Sequence, residues 1–265
     1  MKMRTVFKRE MKEGGKNLLI WTLSIGLLGF FCTVLYSDMS GMTRDMTAMF
    51  ANMGAFSKAF GITTLGLETM AGYFAVEAGT IHGLGSALYA AMTSTVLLSN
   101  EEDRHTGEFL FSLPVSRGKI VTAKMMSLLT RLVILTAVCG LIYEAGFLLV
   151  GEDVPAKEFI SWLLAELLMN IEISAICLAV SAFGHTNRTG LGLGIALLFY
   201  GFDKIGRITE ELEKILFIGP FSYAEAADIF AGNGIPVKAA VFAAAVTAAT
   251  VLLAILYYRK KDLAA

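Results

Sequence analysis

Six stretches of this chain are apolar over lengths that suit a membrane helix, with the polar positions gathered between them. They run over about 18–36, 74–98, 127–150, 159–183, 189–202 and 237–258. A hydrocarbon core of about 30 Å takes roughly 20 residues of helix, at 1.5 Å per residue. Five stretches reach that length; the fifth in order, 189–202, is shorter and glycine-rich. Backbone groups at membrane depth must be paired internally, which leaves helices or a closed barrel. The in–out alternation of barrel strands is absent. The pattern therefore predicts an all-α membrane protein, one six-span unit over residues 1–265 with no room for a separate soluble domain.

The segments outside the spans have patterns of their own. Met3, Val6, Phe7 and Met11 recur at helical spacing among Lys2, Arg4, Lys8, Arg9, Lys12 and Lys16. This predicts an interfacial helix in the headgroup plane ahead of the first span. A secretory signal would have a shorter apolar core and a small-residue cleavage site, so the first span is read as retained. In the first outer loop Met39, Met42, Met46, Met49 and Met53 fall on one stripe if the segment is helical. Such a stripe could bind a soft metal, adapt to hydrophobic substrates, or simply pack on the outer rim. In the last outer loop a helical pattern from Ile205 to Leu216 stops at Gly219-Pro220, and a second short helix is expected from Tyr223 to Phe230.

Composition agrees with the pattern. Of 265 residues 55% are hydrophobic and 17% charged, where a soluble domain has about 25% charged; mean hydropathy is +0.64. A net charge of −1 gives no basic field for nucleic acid. Cys32, Cys139 and Cys177 are scattered through apolar runs, without a disulfide framework or zinc-ligand spacing. Basic residues set the orientation. With the amino terminus inside, fourteen of the 22 lysines and arginines lie on the cytoplasmic side, seven lie outside, and Arg131 sits within a span. Both termini are thus expected in the cytoplasm of a multi-pass cell-membrane protein.

Ionisable groups at membrane depth cost roughly 2.5–3.5 kcal/mol on insertion scales and must face protein or water. Counting from the span midpoints, Asn170 and Glu172 lie near the midplane, and His82 and Glu166 share a depth about 6–8 Å toward the outside. His82, Glu166, Asn170 and Glu172 are the substrate-pathway candidates, with a His82–Glu166 contact as the best depth-matched pair; they could equally serve as glue between helices. Glu77, Glu144 and Arg131 are expected as interfacial anchors, Arg131 by snorkelling about 10 Å toward the cytoplasm. No catalytic triad, H-E-x-x-H motif or phosphate loop is present. The chain is therefore read as no enzyme, and as binding no cofactor or metal itself.

The cytoplasmic segment between the second and third spans reads NEEDRHTGEFLFSLPVSRGKIVTAK, residues 100–124. Asn100 can cap a helix whose first turn, Glu101, Glu102 and Asp103, complements the helix dipole. Pro114 ends it and biases Leu113 away from helix. The product is a short amphipathic helix across the cytoplasmic face, suited to a partner's groove.

This segment resembles the permease subunits of ABC-2 type transporters. The likeness rests on Glu101-Glu102-Asp103-Arg104-His105-Thr106-Gly107-Glu108, then Leu113-Pro114-Val115-Ser116-Arg117 and Lys124; Thr106 precedes Gly107 where Gly-Thr is the commoner order. The resemblance implies an exporter subunit that pairs with a second permease chain, identical or related, and with two cytoplasmic ABC ATPase subunits. Those subunits would supply ATP and Mg chemistry. It makes residues 101–113 the coupling helix, with Glu101, Glu102, Arg104, Gly107, Glu108, Leu113, Pro114 and Arg117 as ATPase-coupling residues. The alternative is a stand-alone secondary transporter or channel, in which the intramembrane Glu and His residues relay protons or cations. Substrate classes left open are a peptide antibiotic, a lipid, a drug or a cation.

Overall fold

A computed structural model describes residues 3–39, 41–42, 47–50, 53–103 and 116–261, and no strand occurs among them. Six long helices carry the architecture: α1 (Met3–Met39), α4 (Met70–Thr95), α6 (Arg117–Val150), α7 (Ala156–Phe183), α8 (Thr189–Gly206) and α11 (Val237–Lys260). Short helices fill the connections: α2 (Ala55–Ala59), α3 (Ile62–Leu65), α5 (Asn100–Asp103), α9 (Glu210–Glu213) and α10 (Ala226–Phe230). Among the described residues, α1, α6, α7 and α11 are long and apolar enough to cross a membrane. α4 is diluted by glycine, alanine and hydroxyl residues, and α8 by glycines and by Asp203 and Lys204.

The helices alternate in direction. α1 and α4 are antiparallel, for Gly85 faces Ile25, Trp21 meets Tyr89 and the Tyr36 hydroxyl reaches the Glu68 carbonyl. α1 and α6 are parallel: Val6 clusters with Ile120, Gly26 faces Ile142 and Gly146 faces Thr33. Their seam is made of small residues, so the backbones approach closely. A Cβ on Gly29 would collide with the Tyr143 ring.

α4 is the centre. It packs on α1, α7 and α8 and is buried along most of its length. This is why glycine and alanine replace bulk there. At the outer end of α4, Phe74 sits within 5.0–5.9 Å, ring to ring, of Tyr143, Phe147, Phe159, Trp162 and Phe230.

Three expectations change. The basic amino-terminal stretch is no separate interfacial helix but the first turns of α1, which runs unbroken for 37 residues. Gly14-Gly15 weakens a helix without removing its hydrogen bonds, and no proline interrupts it. The methionine stripe is no continuous helical face, because α1 ends at Met39 and a turn follows at 41–42. Met42, Met49 and Met53 are exposed, while Met46 lies outside the described residues. Asn100 is the first residue of α5 rather than its cap; the Ser99 carbonyl accepts the Glu102 and Asp103 amides.

The break at Gly219-Pro220 is as read, whereas the helical pattern from Ile205 to Leu216 is split between α8, which ends at Gly206, and α9. α6 stops at Gly151, whose positive φ of 75° allows a Schellman closure from Gly151 and Glu152 onto Leu148 and Phe147. Gly219-Pro220 opens a 3₁₀ turn, Pro220–Tyr223. α10 then tucks into the bundle, where Gly79 and Gly61 leave room for Ala226 and Ala227.

Candidate functional site

The polar side chains inside this apolar bundle fall into three groups, stacked from the end that holds the amino terminus to the opposite end. The first is at the foot. α4 does not release the chain into solvent: the Leu98 and Ser99 amides donate to Ser181 Oγ of α7 at 2.9 and 3.2 Å. α5 is thereby pinned under the bundle, and its carboxylates point inward. Glu101 and Glu102, expected as an exposed acidic turn, are 1% and 4% exposed.

Glu101 pairs with Lys124 of α6 at 2.8 Å, and Lys124 also reaches Glu10 of α1 at 2.9 Å and the Leu97 carbonyl at 2.9 Å. Glu102 pairs with Lys261, just past α11, at 2.7 Å and with His185, just past α7, at 2.6 Å. Lys261 further donates to the Gly184 carbonyl, while Arg117 donates to the Lys261 carbonyl at 2.6 Å. One four-residue helix thus ties together one end each of α1, α6, α7 and α11. Buried pairs of this kind are costly to break, because the surviving charge is left in low dielectric. Arg104, Gly107, Glu108, Leu113 and Pro114 lie outside the described residues.

The second group lies at membrane depth. His82, Glu166, Asn170 and Glu172 are all buried. Asn170 donates to Ser86 Oγ at 2.9 Å, and the Ser86 hydroxyl lies 3.5 Å from a Glu166 oxygen. His82 turns toward α6 instead: its Nδ1 lies 3.0 Å from the Tyr143 hydroxyl and its ring packs edge-on to Trp162. The depth-matched His82–Glu166 contact is therefore not made. The two share a height but face different neighbours: His82 of α4 turns to Tyr143 of α6, while Glu166 of α7 turns to Ser86 of α4. Glu172 stands apart, accepting from the Tyr223 hydroxyl at 2.8 Å. Glu144 is exposed and Glu77 half-buried, but Arg131 does not snorkel; it is buried against α1 at Gly14.

The third group closes the end opposite the foot. Asp203, Lys204 and Arg207 from the last turn of α8 meet Glu225 and Asp228 at α10. Lys204–Glu225 is 2.6 Å, Arg207–Asp203 3.0 Å and Arg207–Asp228 2.8 Å. Burial works against the Arg207 charge, but Asp203, Glu225 and Asp228 outweigh it and raise its pKa above the ordinary value. A cavity of about 20 Å³, room for one water, separates this cluster from Glu166. Sequence reasoning missed the group. Asp203 and Arg207 carry the i, i+4 signal of a helix pair, yet their partners some twenty residues onward carry none.

A tightly packed helical bundle with long apolar helices and polar groups at three internal levels is the architecture of an integral membrane protein. The comparison with known families makes this specific. The ABC-2 family transporter proteins match over residues 4–263, and the chain belongs to that family. No curated protein matches it.

Proposed function

We propose that the chain is the permease subunit of an ATP-driven exporter. Its six long helices all cross the cell membrane, both ends are cytoplasmic, and residues 101–113 form the element that docks on separate ABC ATPase subunits. A second permease chain completes the pathway. Strict alternation of helix direction supports six crossings, and the basic asymmetry supports a cytoplasmic foot.

The observation that carries the reading is the ion-pair junction beneath the bundle. The segment that resembles a coupling helix begins at Glu101 and Glu102, and these are fastened to four helix ends at once. A push on residues 104–113 is transmitted to α1, α6, α7 and α11 together. Glu101 and Glu102 then anchor the segment, while Arg104, Gly107, Glu108, Leu113 and Pro114 are left to meet the ATPase. Arg117 holds the return into α6. His82, Glu166, Asn170 and Glu172 are the groups available to a translocation path when the bundle opens.

The test is co-purification with an ABC ATPase from the same source, followed by reconstitution in lipid vesicles. Arg104→Glu should abolish stimulation of ATP hydrolysis by the permease while leaving the fold intact. Full transport by this chain alone, driven by an ion gradient and indifferent to Arg104→Glu, would overturn the reading in favour of a secondary transporter.

A further inference from the structure

The small cavity beside Glu166 joins two groups that the fold otherwise keeps apart. Gly83 of α4, Glu166 of α7, Lys204 of α8 and Glu225, just ahead of α10, are among its walls. Its volume of about 20 Å³ has room for one water.

Glu166 is 2% exposed. One carboxyl oxygen, Oε2, takes the Ser86 hydroxyl at 3.5 Å, with the Trp162 indole N–H also beside the group. The other, Oε1, lies at Gly83, where a Cβ would come within 3.1 Å of it. Glycine at 83 thus leaves Oε1 facing the cavity rather than a side chain.

Around the cavity the charges do not balance. Lys204 serves Asp203 and Glu225, and Arg207 serves Asp203, Glu225 and Asp228. Among the described residues two cations are therefore shared by three carboxylates before Glu166 is counted. Of the other titratable groups near Glu166, His82 faces Tyr143, Tyr223 donates to Glu172 and Tyr200 lines the cavity; none of them bonds to it. A buried carboxylate left with neutral donors is costly at membrane depth, and a cation relieves that cost. A metal ion needs a shell of several oxygens, which a one-water cavity shared with an ammonium does not offer. A proton needs only the open oxygen and a water to carry it.

We infer that Glu166 is a proton-binding site, loaded through one water in this cavity from the side of the Lys204–Glu225 pair. That side reaches solvent at Asp228, whose side chain is 32% exposed. On loading, a water-borne proton forms an O–H bond at Oε1 and the carboxylate becomes neutral. On release the proton returns to water, and the Glu166 anion competes with Glu225 for the Lys204 ammonium. The proton therefore sets how firmly α8 holds the start of α10. The inference rests on the packing of α4, α7, α8 and α10, and not on export or ATPase coupling.

The test is infrared difference spectroscopy of the full chain in lipid vesicles, stepped from about pH 5 to about pH 9. The wild type should show, at the acid end, the carbonyl band of a protonated carboxyl group that moves in heavy water. Glu166→Gln should remove it. Glu225→Gln takes away a neighbouring negative charge and frees Lys204 to turn to Glu166, so the midpoint of the band should fall by about one pH unit or more. Absence of such a band from the wild-type difference spectrum overturns the proposal, as does its survival in Glu166→Gln. A band that heavy water does not move, or a midpoint unchanged in Glu225→Gln, overturns the route through the cavity and the proposal with it. Should Glu166→Gln fail to fold, the midpoint in Glu225→Gln decides.

Discussion

Lys124 Nζ lies 2.8 Å from a carboxylate oxygen of Glu101, and both side chains are 1% exposed. Lys124 belongs to the start of α6 and Glu101 to α5, so the bond closes the segment between α4 and α6 at its base. With Glu10 on the other side of the ammonium, the same lysine also holds the first turns of α1.

Removing this lysine should unsettle the whole foot. Lys124→Gln leaves Glu10 and Glu101 facing each other, and breaking a buried pair costs about 3–5 kcal/mol. The melting temperature of the detergent-solubilised chain should fall clearly below that of the wild type. Adding Glu10→Gln and Glu101→Gln should recover much of the loss, because no buried charge is then unpaired. If Lys124→Gln melts like the wild type, the junction does not hold the helices.

The small-residue seam between α1 and α6 makes a paired prediction. A Cβ at Gly29 meets the Tyr143 ring, while one at Gly15 meets nothing within 4 Å. Gly29→Ala should destabilise by about 1–3 kcal/mol, the usual cost of overpacking. Gly15→Ala should be neutral, or stabilising by about 0.5–1 kcal/mol through helix propensity. Equal thermal shifts in the two variants would contradict the packing described.

At the outer end, Arg207 is bonded to Asp203 and Asp228. Arg207→Gln should release α10 from α8, and protease added to the detergent-solubilised chain should cut residues 207–236 faster than in the wild type. Arg207→Lys should recover only part of the protection, since an ammonium lacks the planar fork that serves two carboxylates. Unchanged cleavage in Arg207→Gln would show that apolar contacts of α10 suffice.

Glu172 and Tyr223 are coupled by one hydrogen bond between α7 and the last outer loop. In a double-mutant cycle on stability, Glu172→Gln with Tyr223→Phe should give an interaction energy of about 1–2 kcal/mol. If Glu172→Gln also leaves transport unchanged, Glu172 is a strut for the loop and not part of the path. Additive effects on stability would instead free it for substrate.

Much of this was legible in the order of residues, and the reason is local. Apolar runs longer than a bilayer is thick must become helices, because nothing else satisfies their backbone in lipid. Gly151, Pro155 and Gly219-Pro220 mark helix ends through backbone geometry that needs no distant partner. The motif around Glu101 to Arg117 pointed to the family that the whole chain then matched.

Depth could be read as well, since each residue adds a fixed 1.5 Å, but direction around the helix axis could not. His82 and Glu166 agree in height, yet one faces Tyr143 and the other Ser86, which only the packing of α4 between its neighbours settles. The acidic turn likewise looked like a surface offered to a partner. The fold turns it inward, because Lys124 and Lys261, 23 and 159 residues away from their carboxylates, converge beneath it. Sequence by itself determined where the chain becomes helical, through local hydropathy and backbone chemistry. Tertiary structure alone decided which buried charges meet, because those pairings join residues whose separation along the chain has no period to betray them.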